Sequence, residues 1–204
     1  MSSIRLPSEA VSDAVLHLLA GPNGAGKSTL VRDVVAPVTF LPFVNADDLA
    51  ALHWPGSELE HGHEASRLAR QTREQLLALR RSFIAETVFS HASKLELVRE
   101  ARARGFRVTL HVVMIPEELA VTRVRARVHN SGHDVPEQKV RARFHRLWPL
   151  VAEAIALADE SFVYDNTLAV NPHRLTASFL SGRISGEADW PTWTPAPLLA
   201  LTAK

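Results

Sequence analysis

Gly21-Pro22-Asn23-Gly24-Ala25-Gly26-Lys27-Ser28 spells a complete G-x-x-x-x-G-K-[ST] loop, with the apolar run Ala14–Ala20 before it and the helix-compatible stretch Ser28–Ala36 after it. A strand in front and a helix behind is the setting in which such a loop grips phosphate. Its glycines let the main chain approach an anion closely and turn N–H groups toward it. Lys27 adds an ammonium for the β- and γ-phosphates. The Ser28 hydroxyl is a ligand for Mg²⁺, and the helix behind the loop brings partial positive charge at its N-terminus. The stretch Gly21 to Thr29 is therefore expected to bind ATP together with Mg²⁺.

Outward from the loop, short apolar runs alternate with longer helical patterns. Expected strands are Ala14–Ala20, Phe40–Asn45, Ser82–Thr87, Arg107–Ile115 and Ser161–Asp165. Expected helices are Ser28–Ala36, Glu58–Arg80, Lys94–Arg104, Pro116–His129 and Pro136–Ala158. Such alternation predicts an α/β fold with a five-stranded, mostly parallel sheet and helices on both faces. Pro37 is expected to stop the first helix, and Gly105 to close the helix that begins at Lys94. Leu175–Leu180, the turn Ser181-Gly182-Arg183 and Ile184 read as a small hairpin, followed by an extended Pro- and Trp-rich strap from Trp190 to Pro197. This divides the chain into a nucleotide-binding domain over residues 1–167, with a helical lid at about 117–147, and a C-terminal hairpin and strap over 168–204 packed on it.

A chain of 204 residues with a formal net charge of +1 suits one domain with no global attraction to nucleic acid or membrane. It contains no cysteine, which excludes disulfides, thiolate nucleophiles and cysteine-based zinc sites. No segment approaches the roughly 18 apolar residues of a membrane span. The one N-terminal apolar run enters the phosphate loop, so it does not read as a cleavable leader. The expectation is a cytoplasmic protein.

In an open α/β sheet, ligands sit at the carboxyl ends of the strands. The second strand ends Asn45-Ala46-Asp47-Asp48. A phosphoryl acceptor must be held in line and lose a proton, and Asp47 is the candidate base. The alternative is that Asp47 or Asp48 caps the next helix, with Asp48 the better cap by position. The third strand ends Ala85-Glu86-Thr87, where a poorly solvated Glu86 needs a partner: metal-bound water, an arginine, a substrate hydroxyl or a structural ion pair. The fourth strand ends without an acid, so Glu86 or Asp47 would serve Mg²⁺ through water. That absence points away from a switch GTPase or motor ATPase and toward a small-molecule kinase.

Arg123, Arg125, Arg127, Lys139, Arg141, Arg143 and Arg146 form a basic stretch broken at Ser131-Gly132-His133-Asp134. An arginine-bearing helical hairpin that closes over ATP would exclude water and add charge, with Arg127 and Arg143 as phosphate clamps. Arg125 and Arg141 read as solvated surface. His61 with His63, and His129 with His133, resemble metal spacing without a complete ligand set. Asn166 leaves the last strand and either bonds the base edge of the nucleotide or makes an ordinary turn.

Taken in order, Gly21 to Thr29, Asn45-Ala46-Asp47, Glu64-Ala65-Ser66-Arg67, Glu86-Thr87, Gly132-His133-Asp134-Val135-Pro136, Arg143-Phe144-His145-Arg146 and Tyr164-Asp165-Asn166 resemble the zeta-toxin family of phosphate-loop kinases. The resemblance covers roughly Val15 to Thr167. It implies ATP-dependent phosphorylation of a UDP-N-acetyl sugar on a ring hydroxyl, and a small antitoxin protein as partner. By the motif match, Lys27 and Ser28 would hold ATP and Mg²⁺, and Asp47 would be the base. Glu86, Thr87, Arg67 and His133 would face the acceptor, and Arg127 and Arg143 would clamp phosphates. Two departures touch the acceptor side. Members that phosphorylate UDP-N-acetylglucosamine resemble Glu-Gly-Thr where this chain has Glu86-Thr87-Val88, and their lid arginine corresponds to His133. Other small hydroxyl substrates (a nucleoside, a sugar acid, an antibiotic) and a slow ATPase switch are the competing readings.

Overall fold

The computed structural model describes residues 14–131 and 136–203, with side chains of the helix ending at Ser131 described as far as Ala126. Strand β1 (Val15–Ala20) runs into the phosphate loop, behind which stand α1 (Lys27–Leu30), a π-helical turn (Val31–Val35) and α2 (Ala36–Thr39). Then follow β2 (Phe43–Val44), α3 (Ala46–His53), α4 (Gly62–Ala78), β3 (Phe83–Thr87), α5 (Ser93–Ala103) and β4 (Arg107–Met114). The lid helices α6 (Glu117–Ser131) and α7 (Glu137–Leu157) lead to β5 (Glu160–Asp165), β6 (Arg174–Leu180), β7 (Arg183–Ile184) and α8 (Ala196–Leu199).

The sheet order is β2-β3-β1-β4-β5-β6-β7. The first five strands are parallel, and β6 and β7 are antiparallel additions at one edge. The expected fold class holds, with one correction: the sheet has seven strands, not five. The C-terminal hairpin pairs with β5, from Glu160↔Leu180 to Asp165↔Arg174, and extends the sheet.

β1 and β4 lie at the centre, and β4 is buried from Val108 to Met114, the near-continuous burial of a parallel strand covered on both faces. Leu147, Val151 and Ile155 of α7 and Val98 and Ala101 of α5 complete the same core. Among the described residues, no helix is long and apolar enough to cross a membrane.

Three further expectations change. Pro37 does not stop the first helix, because the π turn ends at Val35 and Pro37 falls in the first turn of α2, where a missing N–H costs little. A short helix, α3, occupies Ala46–His53 between β2 and α4, and α4 starts four residues later than the expected Glu58. The strap carries one helical turn, α8, started at Pro195 and packed through buried Leu198.

Candidate active site

Parallel pairing brings the carboxyl ends of β1, β3 and β4 level: Leu19 lies beside Glu86 and Ala20 beside Thr87 and Val112. The phosphate loop leaves β1 at this edge. Gly21 has φ 150°, and a Cβ there would lie 2.3 Å from the Val113 carbonyl oxygen. Gly26 has φ 90°, and a Cβ there would lie 2.4 Å from the Asn166 Nδ2. No other residue fits either position. The Pro22 carbonyl accepts from the Ala25 N–H at 3.2 Å and from the Lys27 ammonium at 3.0 Å.

Glu86 gathers the loop's functional groups. Its Oε2 accepts from the Ser28 hydroxyl at 2.7 Å and from the Asn45 carboxamide at 3.3 Å, and its Oε1 lies 3.6 Å from the Lys27 Nζ. Lys27 is only 5 % exposed and Glu86 17 %, so an unpaired charge on either would be costly. The partner that Glu86 needs is thus the loop itself. A hydroxyl and a carboxylate side by side are hard oxygen donors, and Ser28 and Glu86 fit Mg²⁺.

Asp47 lies in the first turn of α3 and is exposed. Its helix is capped by neither aspartate. Asn45 is the N-cap, its Oδ1 accepting the Asp47 N–H at 2.8 Å. Asp48 is an exposed residue whose carboxyl, partly shielded from water, is raised above its ordinary value by that shielding first, with the charges of Asp47 and Glu86 adding and Arg32 opposing. Asp48 therefore lies within electrostatic reach of both Asp47 and Glu86. Arg67 is exposed on α4. The Thr87 hydroxyl oxygen accepts the N–H of buried Phe89, a non-glycine residue at φ 63°.

In the lid, Arg141 joins α6 to α7. It donates two bonds to Glu118, at 2.5 and 2.8 Å, and one to Glu137 at 2.8 Å, and it lies 3.2 Å from Glu117. Arg125 also pairs with Glu137. Arg143 lines an open groove on α7 with Lys139 and Arg146. The backbone of Arg127 belongs to α6, and its side chain and His133 lie outside the described residues.

Asn166 is buried, with both ends of its carboxamide engaged: Nδ2 donates to the Ala25 carbonyl at 2.8 Å and Oδ1 accepts the His173 N–H at 3.2 Å. Arg123 reaches the loop from α6, donating to the carbonyls of Gly24 at 3.2 Å and Asn166 at 3.0 Å. These loop contacts span 99 and 141 residues of chain, beyond what motif spacing reveals.

A second polar group escaped the sequence reading. His17 Nδ1 lies 3.1 Å from His111 Nε2, and His111 Nδ1 lies 3.3 Å from the Tyr164 hydroxyl, in a stack that links β1, β4 and β5. Burial pushes His111 down to about 3 and Tyr164 up to about 12. His61, by contrast, stacks on Trp54 at 4.8 Å. Among the described residues, no group of three His, Cys, Asp or Glu is placed to hold a metal ion.

A glycine-rich loop that joins a central parallel strand to a helix, with lysine, serine and a neighbouring carboxylate drawn together, defines a phosphate-loop α/β protein. The zeta-toxin family profile matches residues 5–171, and the chain belongs to that family. No curated protein matches the chain. Among solved structures, a chain of the AvrRxo1-ORF1:AvrRxo1-ORF2 complex with sulphate ions is similar at 19 % identity and TM-score 0.66, over 87 % of this chain and 62 % of that one. A chain of the same complex with ATP is similar at 18 % identity and TM-score 0.65, over 87 % and 61 %. A chain from the PezAT toxin-antitoxin system of Streptococcus pneumoniae shows 15 % identity and TM-score 0.59, over 75 % and 69 %. The chain thus spans about six-tenths of the AvrRxo1 chains it resembles. Family and fold together support a kinase-like protein.

Proposed function

We propose that the protein transfers the γ-phosphoryl group of ATP to a hydroxyl of a small molecule, a UDP-N-acetyl sugar. The observation that carries this reading is the contact of Lys27, Ser28 and Glu86 at the phosphate loop. A nucleotide's phosphates would draw the Lys27 ammonium from Glu86 and the Pro22 carbonyl. Ser28 and Glu86 would hold Mg²⁺, which supplies charge neutralisation at the transferring phosphate when bound. Asp47 accepts the acceptor's hydroxyl proton as the new O–P bond forms and the bond to the β-phosphate oxygen breaks, releasing ADP. Arg127 and Arg143 clamp phosphate as α6 and α7 close. Glu86 and Arg67 would contact the acceptor, a role that the family resemblance also gives to Thr87 and His133.

ATP and nucleotide sugars are cytoplasmic metabolites in this reading. The toxin-antitoxin setting of the PezAT structure supports a small antitoxin protein as partner.

Phosphorus NMR of Mg·ATP with the protein and a panel of UDP-sugars tests the proposal. The wild-type protein is expected to form ADP and a new phosphomonoester. The Asp47→Asn variant is expected to bind ATP normally and transfer about 10²–10³-fold more slowly. ADP with inorganic phosphate alone, whatever acceptor is present, would defeat the transferase reading.

A further inference from the structure

Three consecutive carbonyls of the phosphate loop each accept a hydrogen bond from a side chain brought in from elsewhere. Gly24 receives Arg123 at 3.2 Å, Ala25 receives Asn166 at 2.8 Å, and Gly26 receives the Nε2 of His173 at 3.1 Å beside the Leu30 N–H of α1 at 3.0 Å. The donors come from α6, from the residue after β5 and from the residue before β6. They are tied to one another: Arg123 also donates to the Asn166 carbonyl, and the His173 N–H donates to the Asn166 side chain.

A peptide unit is planar, so the carbonyl of one residue and the N–H of the next point in opposite directions. Fixing the carbonyls of Ala25 and Gly26 outward fixes the N–H groups of Gly26 and Lys27 inward. Loop N–H groups of this kind are what grip a polyphosphate. A donor on the carbonyl also polarises the same peptide and strengthens its N–H as a donor.

We propose that His173 is a positioning residue for the phosphate loop, acting with the Leu30 N–H to fix and polarise the peptide between Gly26 and Lys27 for polyphosphate. It rests on the reading that the loop binds ATP. Two observations single out His173. A carbonyl can only accept, so Nε2 must carry the proton, which fixes how the ring is used. His173 sits at φ 53°, a left-handed conformation that a residue with a side chain rarely adopts and that surrounding contacts must hold.

The test is the affinity of the full chain for ATP, ADP and AMP, each with Mg²⁺, in the wild type and in His173→Ala, His173→Gln and His173→Phe. Removing the donor, by Ala or Phe, is expected to weaken ATP and ADP about tenfold and leave AMP within about twofold. Gln retains an Nε donor and is expected to recover most of the loss. The Phe variant keeps the ring's bulk and carries the test if the Ala variant fails to fold, with the melting temperature read for each. Unchanged ATP affinity in a folded donorless variant overturns the proposal. Equal weakening of AMP and ATP overturns it too, because His173 would then act on the nucleoside. If the wild type binds no ATP, the phosphate-loop reading itself falls, and the proposal with it.

Discussion

Around the phosphate loop, Lys27, Ser28 and Glu86 bond one another and three successive carbonyls carry side-chain donors. Along the proposed acceptor wall, Asp47 and Arg67 stand exposed on α3 and α4, and Asp48 faces two other carboxylates. One side of the cleft is tied together by its own side chains; the other is solvent-exposed. Polyphosphate is the same in every reaction of this type, so a rigid cradle for it costs nothing in versatility. In the proposed reaction the acceptor is the variable partner, and the departure at Glu86-Thr87-Val88 bears on that side. Preorganisation therefore marks what the fold shares, and exposure marks what it varies.

The largest test of this contrast removes the centre of the ordered half. Lys27 is buried between Glu86 and the Pro22 carbonyl. Lys27→Ala deletes the ammonium and leaves Glu86 without its counter-charge. Phosphoryl transfer is expected to fall about 10³-fold, with ATP affinity reduced as well. Asp47→Asn, on the other side, should spare ATP binding. A Lys27→Ala rate within tenfold of wild type would break the contrast, since the cradle would then not depend on its central cation.

The scaffold beneath the loop gives a smaller, pH-dependent effect. His17 lies on β1, the strand that enters the loop, and it meets His111 on β4 at 3.1 Å. One ring must donate and the other accept, so the contact requires a neutral acceptor nitrogen. Burial lowers both rings below the ordinary 6.5, His111 to about 3. A folded value below the unfolded one means that the folded state binds fewer protons. The stabilisation is therefore complete above pH 6.5 and is lost progressively as pH falls toward 3. Between pH 7 and pH 5 the loss from His111 is about 2 kcal/mol, or about 5 °C in melting temperature for a chain of this size. His111→Leu should flatten the slope. An unaltered slope in that variant would place the acid sensitivity elsewhere.

The sequence made some of this legible and hid the rest for physical reasons. The loop, the five parallel strands and the site of Glu86 follow from local pattern: glycine spacing, apolar runs, and an acid at the end of one of them. Helix α3 was hidden because eight residues with weak amphipathicity give no clear period, and because the cap is Asn45 rather than an aspartate. Pro37 misled because a π turn shifts the register of the helix by the time proline arrives. The hairpin was visible, yet its pairing with β5 depends on strand order. His17 and His111 read as ordinary strand residues until the sheet sets β1 beside β4. The contacts of Arg123, Asn166 and His173 with the loop join residues 99 to 147 positions apart, so only the fold reveals them.

Thr87 supplies the smallest effect and the sharpest boundary between the two halves. It follows Glu86 directly, so its side chain projects to the other side of β3. Its hydroxyl oxygen accepts the N–H of Phe89, whose φ of 63° places that residue outside the usual region for a buried aromatic. The bond therefore shapes the turn that leads from β3 toward α5, along the acceptor wall. Thr87→Val keeps the shape and removes the acceptor, leaving the Phe89 N–H unsatisfied at a loss of about 1 kcal/mol. Thr87→Ser keeps the oxygen and should melt within a degree or so of wild type. A hydroxyl that also reaches the acceptor would raise the acceptor KM in Thr87→Val while Thr87→Ser stays near wild type, and the ATP KM would not move in either. A rise in the ATP KM instead would mean that the two sides of the cleft are mechanically coupled through β3, and the contrast between an ordered cradle and an adaptable wall would fail at that strand.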